Sequence, residues 1–103
     1  MALYINTDQI LAVENLKDEN GNTVTGATVE ATVYESDGTT EVSGMTFPVS
    51  LSDNGSGNYS AVLEDTMELT LGKIYVVKVD IEGGGADDQR WSREVAKRRG
   101  FGD

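Results

Sequence analysis

The chain has 103 residues, with 18 acidic and eight basic side chains, no histidine, no cysteine and a formal net charge of −10. This length makes one domain with one core. The missing thiols and imidazoles exclude disulfides, the usual zinc sites and any nucleophile paired with histidine, and the acidic balance argues against a nucleic-acid-binding body, because phosphate contacts need a basic face.

Residues 1 to 9 read as a short arm with apolar anchors at Leu3, Tyr4 and Ile5. The segment lacks the basic leader and apolar run of a signal peptide, and nothing in the chain approaches 18 consecutive apolar residues, so no helical membrane span is expected. Ile10 to Leu16 is a first strand, closed by Lys17-Asp18-Glu19-Asn20-Gly21-Asn22, whose Asn-Gly pair is a strong turn signal. Asp18, Asn20 and Asn22 alternate like the start of a calcium loop, but the glycine is out of place for an EF-hand and no bidentate glutamate follows.

From Gly26 to Glu35 the chain alternates, with Ala27, Val29, Ala31 and Val33 on one face and Thr28, Glu30 and Thr32 on the other, as a half-buried strand does. After the Ser36-Asp37-Gly38-Thr39 turn, Gly44 to Leu51 puts Met45, Phe47, Val49 and Leu51 inward. Pro48 cannot donate to a ladder, so this segment is expected at a sheet edge or at a bulge. Ser52 to Asn58 is a polar hairpin loop with no phosphate-binding ending. Tyr59, Ala61 and Leu63 form a further alternating strand, and Glu64 to Glu68 is a helical turn or a corner between sheets.

Lys73 to Ile81 is the strand expected at the centre: Tyr75, Val77, Val79 and Ile81 recur at period two, behind the break at Gly72. Ile74 and Val76 point the other way, as a candidate contact patch. Tyr75, near the start of its strand, is placed to act as a tyrosine corner. After the glycine-rich loop Glu82 to Gln89, Arg90 to Ala96 returns as a last strand with Trp91 and Val95 assigned to the core. These candidate strands, with turn signals between them, specify an all-β sandwich of about seven strands over residues 10–96, followed by a basic tail over residues 97–103.

Charge is divided unevenly along this plan. Residues 1–89 hold Lys17, Lys73 and Lys78 against 16 acids, a net of −13, while residues 90–103 hold five basic and two acidic side chains, a net of +3. The tail residues Arg98, Arg99 and Phe101 are therefore candidates for contact with an acidic neighbour, and another copy of the same chain offers such a surface.

The segment Leu16 to Val29, then Asp37-Gly38-Thr39, Gly57-Asn58-Tyr59 and Leu71-Gly72-Lys73-Ile74-Tyr75, resembles the small immunoglobulin-like β-sandwich proteins of tailed bacteriophages and prophages over roughly residues 10 to 95. The resemblance implies a single antiparallel immunoglobulin-like sandwich and a non-enzymatic virion structural protein, decorating the capsid or sitting at the head–tail neck. It also implies a protein made in the host cytoplasm that contacts capsid, portal or neck subunits or further copies of itself, with no cofactor, no nucleic-acid partner and no membrane. Such a protein would work through Leu3, Tyr4 and Ile5, through Ile74 and Val76, and through Arg98, Arg99 and Phe101. Catalysis is disfavoured on separate grounds, because Glu64-Asp65 and Asp87-Asp88 fall in solvated turns rather than across a cleft. The alternative is an extracellular adhesion or carbohydrate-binding module, which would present exposed aromatics in a row.

Overall fold

The computed structural model describes residues 2–98. It is all-β, with eight strands among those residues: β1 (Leu3–Tyr4), β2 (Gln9–Val13), β3 (Thr28–Tyr34), β4 (Val49–Ser50), β5 (Ser52–Asp53), β6 (Tyr59–Leu63), β7 (Ile74–Glu82) and β8 (Asp88–Lys97). They form a five-stranded sheet, β1-β8-β7-β3-β4, packed on a three-stranded sheet, β2-β6-β5. The nine-residue β7 lies in the middle of the larger sheet, as its β-branched, period-two sequence predicts.

Alternation decides what is buried. Val29, Ala31 and Val33 of β3 and Tyr75, Val77, Val79 and Ile81 of β7 face Leu11 and Val13 of β2 and Tyr59 and Leu63 of β6 across one core. Two buried tyrosines keep their hydroxyls paired, as burial requires. The Tyr75 hydroxyl accepts from the Thr70 N–H at 2.6 Å, which is the tyrosine corner expected from the sequence. The Tyr59 hydroxyl donates to the Val24 carbonyl at 3.0 Å and accepts from the Ala27 N–H at 3.3 Å.

The turns are built by short polar side chains. Asp18 Oδ1 accepts from the N–H groups of Asn20 and Asn22, each at 2.9 Å, and holds the Asn20-Gly21 turn beneath the Lys17–Thr23 bridge. Asp18, the first residue of the alternation that looks like a calcium loop, thus frames a turn with its side chain. Gly57, at φ +79°, sits where an added Cβ would lie 2.8 Å from the Leu16 carbonyl oxygen, so the hairpin loop closes against the segment that follows β2 only without a side chain there. β4 is an edge strand, in keeping with Pro48 just before it. Leu51, whose N–H donates to the Val29 carbonyl, marks the point where the chain leaves the large sheet for β5 in the small one. The segment Glu64 to Glu68 is a corner between sheets rather than a helix.

Three expectations need correction. Leu3 and Tyr4 do not form a separate arm: β1 pairs in parallel with the end of β8, Leu3 beside Ala96 and Tyr4 beside Lys97, and both Leu3 and Ala96 are fully buried. Gln9 secures this pairing, its side chain accepting from the Tyr4 N–H at 2.7 Å and donating to the Ala2 carbonyl at 2.8 Å. Val76, assigned to an open face, is buried. Trp91 and Val95, assigned to the core, lie on the outer face: Trp91 is 54% exposed, and Val95 is half-buried opposite the exposed Ile74. The register explains it: Ser92 lies opposite the core residue Val77, and Trp91 lies opposite the outward Lys78. The three-stranded sheet is too narrow to cover every strand of the larger one, so the inward positions of β8 before the buried Ala96 are polar, with Arg90 and Ser92 exposed.

Candidate functional site

The outer face of the five-stranded sheet brings together side chains from its three long strands. Strands in a sheet lie about 4.8 Å apart, so β3 and β8, which flank β7, are separated by roughly 10 Å. The rings of Tyr34 on β3 and Trp91 on β8 nevertheless have centroids only 6.2 Å apart and planes inclined by 22°. The two rings therefore lean toward each other over β7. Val76, whose ladder partners are Tyr34 and Arg93, is buried beneath this pair although no second sheet covers it. A shallow pocket of about 290 Å³ opens beside it, lined by Gly38, Val76, Trp91, Ser92 and Arg93.

Lys78 completes the cluster. Its ammonium lies 5.3 Å from the Trp91 ring centroid and 5.7 Å from that of Tyr34, and 3.3 Å from an Asp80 carboxylate oxygen. Burial pushes the Lys78 pKa down, but hydrogen bonding to Asp80 and Tyr34 and the negative charge of Asp80 more than offset this, so the net shift is upward and the ammonium stays charged. Ile74, 48% exposed and paired with Val95, extends the apolar area toward the end of the sheet where Lys97 and Arg98 are exposed. Lys73 at that end bonds Glu35 at 2.6 Å, and this contact raises its pKa.

Of the residues singled out from the sequence, Ile74 and Arg98 are exposed at this end of the sheet, while Tyr4 and Ile5 are half-buried at the β1 edge, with the Ile5 N–H donating to the Lys97 carbonyl at 2.9 Å. Leu3 and Val76 are interior, and Arg99 and Phe101 lie outside the described residues. Sequence reasoning missed Tyr34 and Trp91 as surface residues. Alternation puts Trp91, Arg93 and Val95 on one side of β8 and Arg90, Ser92 and Glu94 on the other, and it is the register with β7 that turns the Trp91 side outward. Sequence reasoning also missed Ile10 and Val62, exposed cross-strand partners on the outside of the small sheet.

The acidic turns have a different character. A groove of about 620 Å³ near Gly83 to Asp88 is lined by Asp18, Glu19, Asp87 and Asp88, with Arg90 and Lys17. Its carboxylates serve the backbone: Asp87 accepts from the Gly83 N–H at 2.6 Å and Asp88 from the Gln89 N–H at 2.9 Å, while Asp88 also pairs with Arg90 at 3.2 Å. These are turn-forming contacts. Among the described residues no group of three or more histidine, cysteine, aspartate or glutamate side chains is arranged to hold a metal ion.

Paired aromatics over a buried valine, flanked by cations on rigid strands, suit flat contact with another surface: Trp, Tyr and Arg are the residues that concentrate binding energy at interfaces, and an exposed apolar patch rimmed by charge marks such sites. No family model, curated protein or solved structure matches the chain.

Proposed function

We propose that this chain is a non-enzymatic structural subunit that acts through protein–protein contacts, as the small sandwich proteins of tailed phage particles do at the capsid surface or the head–tail neck. The observation that carries the contact role is the outer face around Trp91 and Tyr34, a half-exposed aromatic pair on the longest strands of the sheet. The strand order supports the immunoglobulin-like reading: β2-β6-β5 on one side and β4-β3-β7-β8 on the other follow the division into B-E-D and C′-C-F-G strands of such sandwiches. The particle itself rests on the resemblance in residues 10 to 95.

The test is composition. Purified particles from a strain encoding the chain should contain it at a fixed stoichiometry, near the capsid-subunit count for decoration or about a dozen copies or fewer for a neck position. Absence from particles would reject the virion role.

The parallel Tyr34 and Trp91 rings also favour a second reading, a carbohydrate-binding module, since sugars stack on exposed aromatic faces. Titrating soluble glycans against the fluorescence of the single tryptophan separates the two: a saturable change supports the carbohydrate reading, and a flat response counts against it.

A further inference from the structure

The outer face of the large sheet is divided by charge along the strands. Lys97 and Arg93 on β8 occupy the half nearest the start of β7. Glu30 on β3 and Glu82 on β7 occupy the other half, with Glu30 directly beside Asp80 in the ladder. Two cations, Arg93 and Lys97, thus lie toward one end and two carboxylates, Glu30 and Glu82, toward the other, with Trp91 and the internally neutralised Lys78–Asp80 ion pair between them. At about 3.3 Å per residue Lys97 and Glu82 lie roughly 30 Å apart along the strands and Arg93 and Glu30 roughly 13 Å apart, both beyond the Debye length of about 8 Å at physiological salt, so one end does not neutralise the other.

We infer that this face binds a second copy of the chain, in a two-fold dimer whose axis lies in the interface and runs across the strands. Rotation about that axis reverses strand direction, so the basic end of each copy meets the acidic end of its partner, and every favourable contact occurs twice. An axis along the strands would instead set like charge on like charge, so the charge pattern selects the antiparallel arrangement. Trp91 and Tyr34 fall near the middle, where desolvated aromatics contribute most. The three long strands span roughly 30 Å by 14 Å, less than the ~800 Å² per partner of a standard interface, so the isolated dimer is weak and forms in the micromolar range or above. The inference deepens the contact role proposed above by naming the occupant of the face, and it rests on that role but not on the particle.

Sedimentation equilibrium of the full chain, from low micromolar to millimolar and at low and high salt, tests it. The expected result is a monomer–dimer equilibrium weakened by salt. Reversing the basic end with Arg93→Glu and Lys97→Glu, or the acidic end with Glu30→Lys and Glu82→Lys, should each weaken self-association about tenfold or more. Mixing the two reversed variants should restore it as a heterodimer, because each basic end again meets an acidic one. Monomer at every concentration, a dimer indifferent to both reversals, or failure of the mixture to pair would overturn the inference. Should a variant fail to fold by circular dichroism, concentration-dependent amide shifts of the wild-type chain decide: changes centred on β7 and β8 support the dimer, and changes confined to β2 and β6 overturn it. Particle composition is measured separately, so loss of the virion role and loss of the dimer are distinguishable.

Discussion

The Tyr34 and Trp91 rings meet over the central strand with centroids 6.2 Å apart, and Val76 beneath them is only 6% exposed while its neighbour Ile74 is 48% exposed. Two outward residues of one strand therefore differ in energetic role. Val76→Ser should cost about 1–2 kcal/mol by removing buried apolar surface and placing a hydroxyl beneath the rings. Ile74→Ser should fall within about 0.5 kcal/mol, as exposed substitutions do. Urea unfolding of both variants checks this, and equal losses would contradict the arrangement.

The tyrosine corner makes a separate prediction. Tyr75→Phe keeps the buried ring but leaves the Thr70 N–H without its acceptor. A loss of about 1–2 kcal/mol is expected, with the spectrum of the native state unchanged. Tyr59→Phe removes two backbone contacts, to Val24 and Ala27, and should cost at least as much. Thermal denaturation of the two variants compares them directly.

Leu3 is fully buried at the junction of β1 and β8. Leu3→Ala should destabilise the domain by about 2–4 kcal/mol through lost transfer energy and a cavity. Gln9→Ala, which removes the clasp on Ala2 and Tyr4, should expose the β8 edge to hydrogen exchange before global unfolding. An independent arm would show neither effect.

Acid should loosen the loop after β3. Asp37 accepts from the Thr40 hydroxyl at 2.6 Å and from the N–H groups of Thr40 and Thr39 at 2.9 Å each, and these bonds, led by the Thr40 hydroxyl, lower its pKa from 3.8 to about 2. Because the folded-state value is depressed, the stabilisation is present above the unfolded value near 4 and is lost as pH falls toward 2. Asp37→Asn should flatten the stability profile in that window, measured as melting temperature against pH.

The sequence made the core readable where a strand is buried on one face and alternates cleanly. Val29, Ala31 and Val33, and Tyr75 through Ile81, were legible for that reason, as were the Asn20-Gly21 turn and the edge position that Pro48 implies. Trp91 was not, because alternation defines two faces of β8 without saying which is inward. Hydrophobicity favoured the Trp91 side, whereas the register with β7 and the narrow small sheet put that side out. Leu3 was hidden for another reason: its partner Ala96 is at the far end of the chain, and a two-residue parallel pairing leaves no local pattern.

Trp91 is the single tryptophan of the chain, so its fluorescence reports on the proposed contact face without a label. Acrylamide quenching should be efficient in dilute solution, where Trp91 is half-exposed, and should fall as the full chain self-associates, with a blue shift in emission. Self-association with quenching unchanged from the dilute value would contradict the assignment of the outer face of β3, β7 and β8 as the contact surface.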